Sequence, residues 1–432
     1  MKDSITGEKI NNSWFGAIPE SWSKVKIGRS FHKIGSGTTP NTSVDKYYEG
    51  GSINWLNTGD LNDSFIYETK RKVTQFALED LSTLKIFPAE SVVIALYGAT
   101  IGKLGQLKIE TTTNQACCVI SDSSQIINRY LFYIFLFGRE YIISRSYGGG
   151  QPNISQDLIR QLYIPAPPVV VQQQICEYLD YQCTIIDDLI NKKEQLIERL
   201  QLLRQATINE AVTKGLDPKA KMKDSRIEWL GDIPEKWNAN RLKYLVDLNN
   251  NEVATDESST IFKVALENIE SFSGKFIKSQ DHVDFQGIGN NFKKGDVLFN
   301  KLRPYLAKVF LAESEGISVG ELLVLSPKSN VHPRFLFYRL LSPSFIETVN
   351  SSTYGAKMPR ASWNFISSLL IPIPSVTEQI EISNWLDSQL QRHEILTLKL
   401  QTQIDRLKEY RQSLISEAVT GKIDVRELQP SN

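Results

Sequence analysis

The residue types that most often build catalytic or metal sites do not stand at catalytic spacings in this chain. Its four cysteines include no C-x-x-C pair and its four histidines form no H-E-x-x-H, so the common zinc spacings are missing. The segment Gly98–Leu104 lacks the G-x-x-x-x-G-K-[ST] spacing of a phosphate-binding loop, which favours a tight turn. Glu68-Thr69-Lys70 and Asp217-Pro218-Lys219 share a carboxylate–lysine shape with metal nucleases, but neither follows a convincing Pro-Asp pair. We therefore find no candidate active site and expect neither catalysis nor a bound metal.

Loops rich in hydroxyl, amide and aromatic side chains fill much of the first third of the chain. Amides match the edge of adenine, and hydroxyls bond to base edges or phosphates, so such loops can contact DNA. The same composition also suits loops that only cap strands, and composition alone leaves both interpretations open. The candidate contact residues here are Thr38, Thr39, Asn41, Tyr47, Trp55, Asn57, Thr58, Thr100, Lys103, Asn114, Gln115, Gln151 and Asn153.

Two loops in the second half of the chain combine cations with aromatic rings. One reads FNKLRPYLAK over Phe299–Lys308, and the other reads YGAKMPR over Tyr354–Arg360. One such alternation can be an exposed strand face, but two in one region favour contacts with phosphate and guanine. The candidates are Lys301, Arg303, Tyr305, Lys308, Tyr354, Lys357 and Arg360.

An internal repeat organises the elements that must position these loops. The run WFGAIPESW at Trp14–Trp22 returns as WLGDIPEKW at Trp229–Trp237. Further matches keep the same order: LYIPAP at 162–167 with LLIPIP at 369–374, Gln174-Ile175 with Gln379-Ile380, and EAVT at 210–213 with EAVT at 417–420. The chain is therefore a tandem duplication.

Each copy has the same layout. A Trp/Pro-rich entry segment precedes short β-branched and aromatic runs, such as Ser91–Tyr97 and Gly320–Leu325, which predict the strands of a mixed α/β domain. The I-P-x-P segment closes that domain, and a long helix follows. The expected division is a first domain at 1–170, a first helix at 171–215, a second domain at 216–376, a second helix at 377–424 and a tail at 425–432.

The two helices are expected to form a coiled coil. Neither 172–214 nor 378–420 contains Pro or Gly. Steps of three and four residues predict seams at positions 186, 189, 193, 196, 200, 203 and 207, and at 393, 396, 400, 403, 407, 410 and 414. Each helix would be about 60 Å long. Two similar halves favour antiparallel pairing with pseudo-twofold symmetry, although packing of each helix on its own domain remains an alternative.

Composition places the chain among ordinary globular proteins. It has 432 residues, 41% hydrophobic and 23% charged, which excludes disorder. Lys+Arg and Asp+Glu are 49 each, so nucleic-acid binding would need a local basic face rather than bulk charge. The polar N-terminus is unlike a signal peptide and the apolar runs are short, so we expect a cytoplasmic protein with no membrane partner.

The loop residues carry a resemblance to a known family. The series G-x-G-T-x-P, Y-Y, G-x-I-x-W-L and G-D-L, from Gly35 to Leu61, resembles the target-recognition domain of the specificity subunit of type I restriction-modification enzymes. GATIG at 98–102, the pair Asn114-Gln115 and the closing I-P-x-P segment are similar to it too. FNKLRPYL and GAKMPR resemble another variant of that domain. Asn54 stands where the family often has Pro, and Gly35-Ser36-Gly37 replaces a plain Gly-Gly, which bears on the bases that are read.

The resemblance implies an α+β fold in which two mixed α/β target-recognition domains are joined by two long helices in an antiparallel coiled coil. It implies a non-catalytic subunit that reads a bipartite target in double-stranded DNA. Partners would be two methyltransferase subunits and the restriction/translocase subunits, and these would hold S-adenosylmethionine, ATP and Mg²⁺, none of which this chain would bind. Two rivals remain: a specificity subunit of a type IIB-like system, and a coiled-coil interaction protein without DNA binding.

Overall fold

The computed structural model describes residues 14–147, 152–255, 261–278, 287–319, 321–355 and 357–425. The chain divides into two compact units: unit 1 is Met1–Asn191 with Gln403–Asn432, and unit 2 is Lys192–Thr402. Each unit therefore contains part of both long helices, whereas the sequence-based division gave each helix a segment of its own. We call residues 14–168 domain 1 and residues 215–375 domain 2.

The first half of the chain contains ten strands and five helices within its described residues. The strands are β1 (Ser23–Lys26), β2 (Lys33–Gly35), β3 (Ile53–Leu56), β4 (Ser64–Ile66), β5 (Arg71–Val73), β6 (Val92–Ala95), β7 (Leu104–Leu107), β8 (Thr112–Thr113), β9 (Cys117–Ser121) and β10 (Tyr163–Ala166). The helices are α1 (Ile27–Ser30), α2 (Gln75–Asp80), α3 (Asn128–Ser144), α4 (Gln156–Gln161) and α5 (Val169–Lys214).

The second half repeats this order with additions. Its strands are β11 (Met222–Asp224), β12 (Asp232–Pro234), β13 (Asn238–Arg241), β14 (Val246–Asn249), β15 (Glu252–Thr255), β16 (Lys263–Val264), β17 (Gly287–Phe292), β18 (Val297–Asn300), β19 (Val309–Leu311), β20 (Gly316–Val319), β21 (Leu322–Pro327) and β22 (Leu370–Ile373). Its helices are α6 (Pro333–Leu341), α7 (Pro343–Ser351), α8 (Trp363–Ser368) and α9 (Val376–Val419).

Domain 1 is built on a five-stranded sheet of order β2-β9-β6-β7-β4 and a three-stranded sheet of order β5-β3-β8. Strands β6 and β9 pair antiparallel and are buried along their whole length, as their Val, Ile and Cys content favours. Helix α3 packs on β6 and β7 with a nearly all-apolar buried face. The strand expected at Ser91–Tyr97 is β6.

Domain 2 contains two four-stranded sheets, of order β14-β21-β18-β19 and β15-β17-β20-β16. Helix α6 packs on β18 and β19, as α3 packs on β6 and β7 in domain 1. Of the strand expected at Gly320–Leu325, Leu322–Leu325 lie in β21, and Gly320 lies outside the described residues. Strands β13 and β22 form an antiparallel pair that repeats the β1–β10 pair, so the I-P-x-P segment of each copy pairs with its entry segment.

The two long helices pair in antiparallel fashion, as expected. In unit 1 the Asp187 carboxylate lies 3.4 Å from Nε of Arg411, and Tyr178 lies beside Glu417. Residue numbers rise along α5 while they fall along α9, which defines antiparallel helices. In unit 2, Arg204 of α5 lies beside Glu394 of α9.

Three of the seven predicted seam positions on each helix are wrong by one position. Leu189, Leu196 and Leu203 are 42%, 46% and 51% exposed. The positions that are buried or half-buried in their place are Ile190, Ile197 and Arg204 on α5 and Thr397, Ile404 and Arg411 on α9. The sequence pattern favoured leucines at these positions. In the structure each arginine is half-buried in the seam and lies beside an acid of the other helix.

One sequence match is also wrong. Gln174 is not the counterpart of Gln379, because the buried glutamine that makes the same contacts in the first copy is Gln172. Both side chains are 0% exposed. Oε1 of Gln172 accepts the backbone N–H of Ile127, and Oε1 of Gln379 accepts that of His332.

Candidate nucleic-acid interface

In domain 1 the parallel pairing of β3 and β8 brings predicted contact residues together. The carboxyl ends of parallel strands meet at one edge, so Asn57 follows β3 beside Asn114, which follows β8. The Asn114 backbone N–H donates to Leu56 O at 3.0 Å, and Asn114 Nδ2 lies 3.4 Å from Asn57 Oδ1. The adjacent Thr58 is half-buried on the turn that follows.

The loop after β2 closes on the same edge. The Gly37 N–H donates to Thr113 Oγ1 at 2.9 Å, and the Thr39 hydroxyl donates to Gln115 Oε1 at 2.7 Å. The Thr38 carbonyl accepts the indole N–H of Trp55. Thr38, Thr39, Asn57, Thr58, Asn114 and Gln115 therefore form one polar group, which we call the amide–hydroxyl cluster.

A second loop pair borders this cluster. Tyr97 and Tyr147 both form backbone bridges with Asn153, and the Ile154 N–H donates to Leu96 O. The Leu96 N–H in turn donates to Ala116 O, next to Gln115. Asn153 is thereby held beside the turn that carries Thr100 and exposed Lys103. Gln151 lies outside the described residues.

Trp55 is corrected from a DNA contact to a core residue. Its side chain is 1% exposed and packs among Val73, Ala77 and Leu84. A ring so enclosed offers no surface to a base or a phosphate. It was predicted as a contact because it lies in the aromatic-rich loop and in the G-x-I-x-W-L motif. In the structure it supports the amide–hydroxyl cluster through the bond to Thr38.

Two further predicted residues of domain 1 are engaged locally. The Tyr47 hydroxyl donates to Asp80 Oδ2 at 2.6 Å and its ring stacks on Phe76. That hydrogen bond to the carboxylate raises the pKa of Tyr47. Exposed Asn41 accepts the Ser43 N–H. No recorded contact among the described residues joins either side chain to the amide–hydroxyl cluster.

In domain 2 the two basic–aromatic loops lie against each other. Leu302 and Tyr354 both form backbone bridges with Arg360. The Arg303 N–H donates to Pro359 O at 2.7 Å, and the Ala361 N–H donates to Lys301 O at 3.0 Å. Lys301, Arg303, Tyr354 and Arg360 are thus gathered in one place, with Lys357 exposed on the same loop. We call this group the basic loop pair.

Backbone strain shapes the basic loop pair. Arg303 and Ala307 adopt left-handed conformations with φ of 51° and 47°, on either side of the short 3₁₀ turn Pro304–Leu306. The buried Asn300 side chain holds the entry to this turn, because its amide both donates to Leu302 O and accepts the Leu302 N–H. Tyr305 is left 46% exposed at the tip.

Two predicted cations of domain 2 already have partners. Lys308 Nζ donates to Leu266 O at 2.6 Å, so its ammonium is directed to a backbone carbonyl. The Arg360 guanidinium forms an ion pair with Glu321 at 2.5 Å. The bond to Leu266 O uses one of the three N–H donors of Lys308, and Glu321 partly neutralises Arg360.

The two domains build their loops in the same way. In domain 1, Tyr97 after β6 and Tyr147 bridge to Asn153; in domain 2, Leu302 after β18 and Tyr354 bridge to Arg360. Strands β6 and β18 occupy matching central places in their sheets. The duplication therefore positions two loop pairs of equivalent architecture and different chemistry, amide in one and basic in the other.

Arg71 is a candidate that sequence reasoning missed. It lies on edge strand β5, opposite Trp55 of β3, within the exposed run Lys70–Lys72. Burial raises the pKa of Tyr48 while Arg71 acts in the opposite direction, which places the guanidinium near that ring. The Tyr48 hydroxyl donates to Pro40 O, beside the amide–hydroxyl cluster. Three consecutive cations were the available signal.

The described parts of the chain contain no group of three or more His, Cys, Asp or Glu side chains placed to hold a metal ion. None of the helices described is both long and apolar enough to cross a membrane.

Comparison with known proteins gives one consistent result. Residues 19–199 and 234–406 match the model of the type I restriction modification DNA specificity domain. The type I restriction enzyme MjaVIII specificity subunit of Methanocaldococcus jannaschii is 26% identical, over 95% of each chain. The EcoDI specificity subunit of Escherichia coli is 22% identical, over 69% of this chain and 70% of its own.

Two solved structures share the fold. A chain from a structural study of assembly and conformational transition of the type I R-M system superposes with a TM-score of 0.71 at 16% identity, over 94% of this chain and 99% of that one. The HsdS subunit of Thermoanaerobacter tengcongensis superposes with a TM-score of 0.51 at 16% identity, over 94% and 98%. Since the family model covers both copies of the repeat, the chain belongs to the family of type I restriction-modification specificity subunits and carries two DNA specificity domains in tandem.

Proposed function

We propose that this specificity subunit reads a bipartite DNA target. In domain 1 the amide–hydroxyl cluster and the bordering loop pair that Asn153 joins read one half-site, and in domain 2 the basic loop pair reads the other. The observation that carries the proposal is the equivalent architecture of the two loop pairs, one in each domain. Their different side chains predict different half-sites, because amides suit adenine and arginines suit guanine.

The chain itself has a reading role in this proposal and no catalytic one. Methylation would be carried out by two methyltransferase subunits that bind S-adenosylmethionine, and cleavage by restriction/translocase subunits that use ATP and Mg²⁺. The exposed leucines of α5 support a docking role for the helices: Leu189, Leu196 and Leu203 recur once per heptad outside the true seam.

Methylome sequencing of a host that carries this chain with its methyltransferase tests the proposal. The expected result is a target of two defined parts separated by a spacer of constant length. Readers in the major groove on one side of a duplex are most easily spaced by about 34 Å, one helical turn. A single continuous target would contradict the proposal, and failure of the chain to retain random duplex DNA on a filter at low salt would favour an interaction protein instead.

Two engineered forms separate the parts. Exchange of residues 23–160 for those of another family member is expected to change one half-site and leave the other intact. Insertion of one heptad after Glu194 in α5 and one after Gln403 in α9 is expected to lengthen the spacer by about three base pairs, since seven residues add about 10 Å. An insertion between Ala206 and Thr213 would be unsuitable, because Ile208 and Val212 are buried in the core of unit 2.

A further inference from the structure

The junction between each domain and the helix that follows it is built from the same side chains in both copies. Gln172, near the start of α5, donates from Nε2 to Gln125 O and Pro167 O. Gln379, near the start of α9, donates to Asn330 O and Pro374 O. With the backbone N–H groups that their Oε1 atoms accept, each glutamine fastens the loop before α3 or α6 to its long helix.

A second fastening lies further along each helix. The Tyr133 hydroxyl of α3 donates to Asp180 Oδ1 of α5 at 2.5 Å, and Arg129 Nε donates to the same oxygen at 2.7 Å. Tyr338 of α6 donates to Asp387 of α9, where Arg334 Nε lies 3.1 Å from that carboxylate. Burial and the adjacent acid raise the pKa of both tyrosines, so each hydroxyl stays a donor.

Together, the glutamine and tyrosine contacts fix the orientation of each domain relative to the helix that follows it. Gln172 and Asp180 lie about 12 Å apart along the axis of α5. A domain held at the glutamine alone could pivot about that point, whereas the tyrosine–aspartate bond holds a second point and removes this freedom. The same holds for Gln379 and Asp387 on α9.

Comparison of the two copies shows which residues of the junction are the same in both. Between the copies the recognition loops differ in composition, as Asn153 against Arg360 illustrates. The Gln, Arg, Tyr and Asp of the junctions are present in both copies. The glutamines and tyrosines make matching hydrogen bonds, and each arginine lies against the aspartate of its own junction. Retention of a polar network in two domains with different loops points to a task that both domains share.

We propose that Tyr133–Asp180 and Tyr338–Asp387 are positioning contacts that set how strictly the protein discriminates between spacer lengths; this rests on the proposed function. A spacer changed by one base pair displaces a half-site by about 3.4 Å and turns it by about 35°. The protein can bind both displaced half-sites only if one of the tyrosine–aspartate hydrogen bonds breaks and the domain turns on its helix. The free energy needed to break that hydrogen bond therefore sets how strongly a duplex with the wrong spacer is disfavoured.

The arginines of the two junctions differ in solvent exposure, so the inference predicts a different effect for each domain. The Arg129 side chain is 16% exposed and lies over the rings of Phe65, Phe132 and Tyr133. The Arg334 side chain is 45% exposed. The aspartates differ the other way, because Asp180 is 42% and Asp387 33% exposed. The firmer hold on domain 1 therefore comes from the additional contacts of Arg129, which also donates to Gln106 Oε1.

The test uses the full chain and synthetic duplexes. Half-sites are first identified by selection from a random duplex pool, and duplexes are then made with the native spacer and with one base pair added or removed. Affinity is measured for the wild type, Tyr133→Phe, Tyr338→Phe and, as a control, Ser91→Ala. Ser91 is buried in domain 1 and its hydroxyl donates to Pro88 O rather than to a junction residue, so its loss tests the effect of a missing buried hydroxyl.

We expect Tyr133→Phe to lower the ratio of native-spacer to altered-spacer affinity about tenfold, which corresponds to one charge-assisted hydrogen bond. Tyr338→Phe should lower it less, Ser91→Ala should leave it unchanged, and base preference within each half-site should not change in any variant. An unchanged ratio in both tyrosine variants, or an equal loss in Ser91→Ala, overturns the inference while the proposed function stands. A wild type that selects no bipartite sequence overturns both. If Tyr133→Phe does not fold, Tyr338→Phe decides.

Discussion

Arg71 offers a direct measure of where domain 1 meets the DNA backbone. Its strand neighbours provide a matched control, because side chains of a strand alternate between faces. Arg71 is opposite Trp55, whose indole N–H donates to the Thr38 carbonyl of the amide–hydroxyl cluster, whereas Lys72 is opposite Asn54. We therefore expect Arg71→Ala to remove a phosphate contact and Lys72→Ala to leave DNA binding unchanged.

The magnitude follows from counterion release. One phosphate contact contributes about 0.9 to the slope of log affinity against log salt, so its loss weakens binding about eightfold at 0.1 M salt relative to 1 M. The assay is fluorescence anisotropy of the full chain with a labelled duplex over a salt series. Arg71→Ala should lower the slope by about one unit.

A second possible role of Arg71 and Lys72, protection of the sheet edge, predicts no change in the salt dependence of DNA binding. Strand β5 is at the edge of its sheet, and edge-strand cations commonly prevent pairing with other chains. If that is their only role, both variants will self-associate more and neither will change the salt slope. Equal slopes for the wild type and Arg71→Ala would therefore refute the placement of DNA at this face.

Four further outcomes are expected. Trp55→Phe should destabilise domain 1 by about 1–3 kcal/mol in thermal or urea unfolding while the base preference stays the same, because the ring is core and its N–H bond is lost. Arg303→Gly should relieve a left-handed backbone by about 1 kcal/mol and still weaken DNA binding, whereas Arg303→Ala should weaken binding without that gain. Gln379→Leu should destabilise unit 2 by at least about 3 kcal/mol, since three backbone groups lose their partner. Burial raises the pKa of the Cys118 and Cys176 thiols to about 12, so iodoacetamide at pH 8 should label them only after unfolding; rapid labelling of the native chain would contradict this.

The architecture was accessible from local sequence patterns. Repeated motifs such as the two tryptophan-flanked segments reveal duplication without any knowledge of contacts. Helices α5 and α9 were expected because long stretches lack Pro and Gly and carry apolar residues at steps of three and four. Both kinds of pattern depend on neighbours within a few turns of chain, where the relation between sequence and conformation is strongest.

Local sequence patterns did not predict which residues of these helices face each other. Leu196 and Ile197 are both apolar, and periodicity could not decide which of them faces the other helix. Arg204 and Arg411 appeared to be solvent residues by type. Their place in the seam depends on acids presented by the other helix, Glu394 and Asp187, and only the antiparallel register brings these together.

Composition together with the family resemblance pointed to the loops of the candidate interface, but not to how their residues divide between surface and support. Trp55 and Asn57 are neighbours in sequence, yet one is core and the other lies at the edge of the sheet. Asn153 meets Tyr97, and Arg360 meets Leu302, through backbone bridges between segments far apart in the chain. Such pairings are decided by strand order and loop closure, which carry no local signature. The sequence by itself determined the duplication, the helices and the chemical character of the loops, whereas only the tertiary structure decided which side chains face one another, because those contacts join residues distant in sequence.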